Sequence, residues 1–290
     1  MRYVKSVFLS VTFCLFASVV FAYAAHVDIG EALKRKIIRY QAVKSSSGLD
    51  ITVTNLLHDS VYVEIGSGWI FPTADESMQP QVVSRSHMIC LAEGEERRAR
   101  LLTLCGNAPG RTVPQGYAEF LKPVLGKSDM VATLRELEPY KMDRKCIIQN
   151  IVWHYTNGHT MANFHPGNTG IDEYLTAMHV FQANEPDIVD PGYRIRYRES
   201  LHPDESVFTG ASEEIEGHVS IKVNAATNCT VALLDQNGML LKPLKYVNDQ
   251  QPGEYSLSFK SYVLDLPKGN YSVAVFDKEG KTLGTLPVEI

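Results

Sequence analysis

One helical pattern set between two blocks of alternating strands constrains this chain most. In Cys146-Ile-Ile-Gln-Asn-Ile-Val-Trp-His-Tyr155, the residues Ile147, Ile148, Ile151 and Val152 take the i, i+1, i+4, i+5 spacing of a buried helical face. Cys146, Gln149 and Trp153 follow on an adjoining stripe, so neighbouring turns present a thiol, an amide and an indole together. The spacing predicts a helix over about 142–155, stopped by Thr156-Asn-Gly158.

Upstream the period is two. Leu49–Asn55, Ser60–Ile65, Trp69–Phe71, Gln81–Val83, His87–Leu91 and Arg98–Leu104 read as short strands separated by turn signals. Helices are predicted over 128–137 and 172–182, and an interrupted one over 117–125, broken by Pro123 and Gly126. Residues 184–214, with Pro186, Pro191 and Pro203, read as loop. From Gly217 the alternation returns, in His218–Val223, Thr230–Leu234, Tyr255–Lys260, Tyr262–Leu266, Tyr271–Phe276 and Thr282–Glu289. Gln236-Asn-Gly238 and Lys278-Glu-Gly280 supply turns between them.

The expected fold is therefore mainly β with a helical insertion, of the α+β class. A β-sandwich carrying helices occupies 48–214 and a small Ig-like β-sandwich occupies 215–290. Residues 25–47 are expected to form a short amphipathic helix over Ile29–Tyr40 and a linker ending in Ser45-Ser-Ser-Gly48.

The first 24 residues have the form of a secretory leader. Arg2 and Lys5 precede an apolar run from Val7 to Phe21, and Ala22-Tyr-Ala24 gives a small-residue cleavage site. The expected location is secreted, periplasmic or at the cell surface, with no membrane span left after cleavage. The net charge is −5 with no basic block, which argues against a nucleic-acid partner.

Of the five cysteines, Cys14 lies in the leader, leaving Cys90, Cys105, Cys146 and Cys229 for an oxidising compartment. Four thiols allow three pairings, and a bridge within the first domain, Cys105–Cys146, is favoured. His154, His159 and His165 form a cluster beside Tyr155 and Asp172. A metal would need three ligands converging on one ion, yet the spacing is loose and no H-E-x-x-H occurs, so packing roles are expected and no metal. No nucleophile elbow, P-loop or dinucleotide fingerprint appears, and no cofactor is expected.

Two resemblances bear on function. The order of a Gly66-Ser-Gly-Trp-Ile-Phe71 turn, a Gln-containing segment, a strand into Leu104-Cys-Gly-Asn107, and Gln149-x-x-x-Trp153 resembles a family of uncharacterised exported bacterial β-rich domains. The Gln149-x-x-x-Trp153 helix is also similar to the T-Q-x-A-x-W helix of bacterial thioester adhesin domains, with Ile148 in place of Thr and Ile151 in place of Ala. That resemblance implies a glutamine condensed with a cysteine thiol to leave an electrophile for amines. Cys105 is the partner by position, with Cys90 the alternative. Read from the residues alone, Gln149 is instead expected to be a buried amide that hydrogen-bonds nearby strand backbone and fixes the orientation of the helix. The run Leu264-Asp-Leu-Pro-Lys-Gly-Asn-Tyr-Ser-Val-Ala-Val-Phe-Asp277 resembles the last strands of bacterial Ig-like modules, and implies a sandwich rather than an activity.

These readings lead to an exported, non-enzymatic binding or adhesion protein of the cell envelope or exterior, with a protein or glycan ligand. A covalent adhesin using a Cys105–Gln149 thioester is a second expectation, and a His-dependent metalloenzyme a third.

Overall fold

The computed structural model describes residues 25–199 and 208–290. The expected leader with Cys14, and Pro203, lie outside these residues. Upstream alternation folds into two facing sheets. In the smaller, β1 (Ala25–Asp28) pairs in parallel with β4 (Val61–Ile65), which pairs antiparallel with β7 (His87–Leu91). In the larger, the order is β2 (Ile38–Ser45), β3 (Gly48–Asn55), β8 (Glu96–Cys105), β6 (Gln81–Val83), β5 (Trp69–Phe71) and β9 (Val124–Leu125). Val63, Ile65 and Ile89 of the first sheet and Leu49, Ile51, Val53 and Leu101 of the second fill one apolar core.

Two expectations near the N-terminus are corrected. The helix α1 (Ile29–Lys34) ends well before Tyr40, and Ile38–Ser45 is a full strand. Lys36 takes a left-handed φ of 58°, which breaks the helix, and β3 then offers a ladder to the residues that follow. Ser45–Gly48 is a hairpin turn and not a linker, since Ser45 pairs directly with Gly48. A Cβ on Gly48 would stand 2.0 Å from the Leu101 carbonyl oxygen, so only glycine lets β3 and β8 close there. The helix expected over 117–125 is also absent: Thr73 bridges Phe120, Val124 pairs with Ile70, and Pro123 cannot donate within a helix.

Three helices cover the other face of the larger sheet at its β6 and β8 strands. They are α2 (Ser128–Leu137), α3 (Cys146–Asn157) and α4 (Ile171–Asn184). Val82 and Leu104 point into a second core with Met130, Leu134, Ile147, Ile148, Ile151 and Phe181. The apolar stripe read from the sequence is the buried face of α3, and Gly158 ends it in the left-handed conformation at φ 69°.

The C-terminal region is a pair of antiparallel sheets. One holds β10 (Tyr193–Glu199), β11 (Phe208–Val223) and β14 (Gly253–Tyr262), and the other holds β13 (Leu240–Gln250), β12 (Thr227–Leu234), β15 (Asn270–Asp277) and β16 (Thr282–Glu289). The stretch expected as loop thus contains β10 and the start of β11, and β11 runs unbroken through residue 215. The strand expected over 262–266 ends at Tyr262, and β13 is additional. β13 is a mostly exposed edge strand carrying Pro243, so it lacks the buried alternation that marks a strand in sequence. The chain is β-rich with helices inserted between its strand blocks, and no helix among the described residues is long and apolar enough to cross a membrane.

Candidate functional site

The larger sheet is uneven at one end. β3 begins at Gly48 opposite Leu102, whereas β8 continues to Cys105. Toward β6, the ladder is carried past this point by Gly106 N–H donating to the Pro80 carbonyl at 2.7 Å. Cys105 itself faces the other way, where no strand remains. Its N–H and carbonyl would be unpaired there, a costly state for backbone groups shielded from water.

Gln149 fills that gap. Its Oε1 accepts from the Cys105 N–H at 3.0 Å, and its Nε2 donates to the Cys105 carbonyl at 2.7 Å. A primary amide carries one acceptor and donors in the arrangement of a peptide group, so Gln149 acts as the missing strand. Two turns on, Asn157 repeats the device: its Oδ1 accepts from Ala108 N–H at 2.9 Å and its Nδ2 donates to Asn107 Oδ1 at 2.9 Å. The segment Cys105–Ala108 is therefore laid along α3 by two amide side chains.

The start of α3 is held from the far side. Cys146 N–H donates to Asn168 Oδ1 at 2.9 Å and Ile147 N–H to Thr169 Oγ1 at 3.4 Å, supplying partners for otherwise orphaned first-turn amides. This arrangement corrects the expected Cys105–Cys146 disulfide. All four described cysteines are free thiols. Cys146 is exposed with its Sγ packed on Gly167, while the residue one turn later, Gln149, is the one that meets Cys105. One helix turn thus puts the amide, not the thiol, on the strand.

Of the two cysteines that could partner Gln149, Cys90 sits on the smaller sheet, across β7–β4 from Tyr62. Cys105 is the cysteine that the fold brings to Gln149. On β8, Thr103 and Cys105 lie on the same sheet face, opposite Val83 and Gln81. There Thr103 Oγ1 donates to Gln81 Oε1 at 3.0 Å. Burial raises the Cys105 thiol pKa, and the nearby Lys44 ammonium opposes that shift. The Lys44 amine is in turn lowered by burial and raised by Cys105.

The histidines separate into packing roles. His154 Nδ1 meets the His159 carbonyl at 2.7 Å and its ring stands edge-on to Phe181, with centroids 5.0 Å apart. His159 lies edge-on to Trp153 at 5.5 Å, and burial, aided by His154, lowers its pKa to about 4. Burial also lowers His165. Asp172 is exposed on the first turn of α4. Among the described residues no three potential ligands group as a metal site.

A second feature was not legible in sequence. A groove of about 1250 Å³ runs between the α4 end of the helical layer and the outward face of β11 and β14. Tyr174, Arg194, Glu216, His218 and Lys260 are among its lining residues. Two of its cations are ion-paired: Arg194 reaches Asp190 at 2.7 Å, and Lys260 reaches the buried Glu214 at 2.7 Å.

No protein-family model and no curated protein matches this chain.

Proposed function

We propose that this chain is an exported binding and adhesion protein rather than an enzyme, and that it acts covalently through Cys105 and Gln149. The observation that supports this reading is that the fold brings Gln149 to Cys105, 44 residues away in sequence, its amide bonded to the Cys105 main chain at 2.7 and 3.0 Å. Cys105 Sγ would attack the Gln149 amide carbon, a C–S bond would form, and the C–N bond would break with release of ammonia. Such a condensation also requires the thiol to turn from its own sheet face onto the amide carbon. The resulting thioester would be open to a primary amine, such as a lysine of a surface protein, which would become joined to Gln149 as the thiol is released. The leader-like N-terminus supports an extracytoplasmic setting for such a reaction.

Intact mass of the secreted protein, with and without methylamine, tests this. Loss of the elements of ammonia, followed by addition of methylamine and return of the thiol, is the expected result. Loss of both signals in Gln149→Ala and Cys105→Ala would tie the chemistry to this pair. A mass that shows leader removal alone would leave the Gln149 amide as a purely structural clamp.

The groove favours a second reading, in which the protein binds its partner without a covalent bond. Its mixture of tyrosines, paired charges and serine hydroxyls suits a protein or glycan surface. Tyr174→Ala with Lys260→Ala would then weaken retention on the target, while Gln149→Ala would not.

A further inference from the structure

The groove between the helical layer and the C-terminal sandwich has two surfaces of opposite character. Its floor is the outward face of β11 and β14, where the register sets Glu216 beside Lys260, His218 beside Ser258 and Ser220 beside Ser256. These three rows, two residues apart, make a polar strip about 14 Å long. The wall on the helical side is apolar: Pro166, Ile171 and Tyr174 line it, and Ile171 is 76% exposed. The volume of about 1250 Å³ exceeds the roughly 300–1,000 Å³ of a pocket built around one small molecule.

The charges of the groove are held in place, and they cancel. Arg194 grips Asp190 through two nitrogens, at 2.7 and 2.8 Å. Lys260 lies 2.7 Å from Glu214 and 3.8 Å from Glu216. Lys245 reaches over from β13 and donates to Ser258 Oγ at 3.4 Å. Arg194, Lys245 and Lys260 are thus balanced by Asp190, Glu216 and the buried Glu214, and donors and acceptors stand side by side without a net field. A polyanion or a strongly charged peptide gains little from such a surface. A neutral extended peptide gains little either. The ladder between β11 and β14 is unbroken from Glu214–Tyr262 to Val223–Gly253, so the floor presents side chains and no free main chain to pair with.

We propose that this groove is the binding site for a neutral, hydroxyl-rich oligosaccharide, with its ring faces on Pro166 and Tyr174 and its hydroxyls along the strip from Lys260 to Ser256. This rests on the non-covalent reading above and names the ligand of that site. A sugar hydroxyl both donates and accepts, so it uses ammonium, carboxylate and serine partners alike. The C–H face of a sugar ring is apolar and packs on an aromatic or proline wall, while its edge stays polar. A chain of such rings therefore matches a groove with one apolar side, one polar side and no net charge. The length of the strip suits several rings rather than one.

The experiment is binding of the full chain to a printed array of neutral oligosaccharides, sulfated and carboxylated oligosaccharides, and unglycosylated peptides. Wild type should bind the neutral oligosaccharides, and longer chains more tightly than single sugars. Ser258→Trp, which fills the floor from an exposed strand position, should abolish binding. Tyr174→Ala should weaken it about tenfold, the scale of one lost aromatic contact. Tyr246→Ala removes an exposed tyrosine of β13 outside the groove and should bind as wild type does. Circular dichroism checks the folding of each variant, and if Tyr174→Ala fails to fold, Ser258→Trp carries the test alone. Binding to peptides or to charged oligosaccharides alone, lost in Ser258→Trp, would overturn the neutral-glycan assignment and leave the groove as a binding site. Neutral-glycan binding that Ser258→Trp leaves unchanged would put the sugar elsewhere on the molecule and overturn the assignment. Absence of groove-dependent binding to every probe would overturn both the assignment and the non-covalent reading.

Discussion

The two regions of this molecule satisfy their backbones in opposite ways. In the C-terminal sandwich, β11 is paired by β10 on one side and by β14 on the other, in register from Glu214–Tyr262 to Val223–Gly253. Main chain meets main chain, and the outward residues His218, Ser220, Ser256 and Ser258 carry no duty in the ladder. In the N-terminal region, β8 outruns its neighbour and its last peptide groups are completed by the side chains of α3. A complete ladder leaves side chains free, whereas an incomplete one commits specific amides to the backbone. The place where the ladder stops is also the place where the Gln149 amide meets the Cys105 main chain.

The largest effect should come from removing a core aromatic on each side of this comparison. Phe181 is fully buried among His154, Tyr155 and Phe164, and Phe259 is buried in the sandwich. Either change to Ala should cost about 3–5 kcal/mol. In scanning calorimetry, Phe181→Ala should lower one transition and Phe259→Ala another. A single transition lowered equally by both would mean that the two regions unfold as one unit, and the comparison would lose its energetic content.

Gln149→Ala should follow, at about 2 kcal/mol, because it leaves the Cys105 N–H and carbonyl without their partner. Gln149→Glu should fall between wild type and Ala: a carboxylate can accept from the N–H but cannot donate to the carbonyl. Urea unfolding would rank the three. Equal stability of Ala and wild type would mean that water replaces the amide, and that the ladder end makes no demand on this side chain.

The smallest effect is a pH dependence confined to the helical layer. His159 has its folded pKa lowered from 6.5 to about 4 by burial, and His165 is lowered in the same sense. Below pH 6.5 the unfolded chain binds protons that the folded chain refuses, so these residues destabilise the fold progressively from pH 6.5 toward 4 and have no effect above that window. Melting temperature between pH 7.5 and 5 should drop less in His159→Phe than in wild type. The same slope in both would show that His159 is hydrated in the folded state.

The helical face of Ile147, Ile148, Ile151 and Val152, the stop at Gly158 and most central strands could be read directly, because burial imposes periods of 3.6 and 2 on the sequence itself. The sequence placed Gln149 on a polar stripe of its helix, where a bond to nearby strand backbone could be expected; Cys105 was joined to it only through the resemblance to thioester domains, with Cys90 as an alternative. Other elements carried no local signal. Ile38–Tyr40 continue the amphipathic pattern that begins at Ile29, and only pairing with β3 makes Ile38–Ser45 a strand. β13 is an exposed edge with little alternation, and its place is set by β12.

What the sequence determined by itself is the class of structure: strand blocks, a helical insertion, and a helix presenting an amide on its polar stripe. These follow from local spacing and burial, which every residue shares with its near neighbours. The tertiary structure alone decided that Gln149 rather than Cys146 meets Cys105, that β8 outruns β3, and that Ile38–Ser45 is a strand. Those outcomes depend on strand register and on a rotation of one helix turn. Each is set by contacts between residues far apart in the chain, for which no local pattern in the sequence exists.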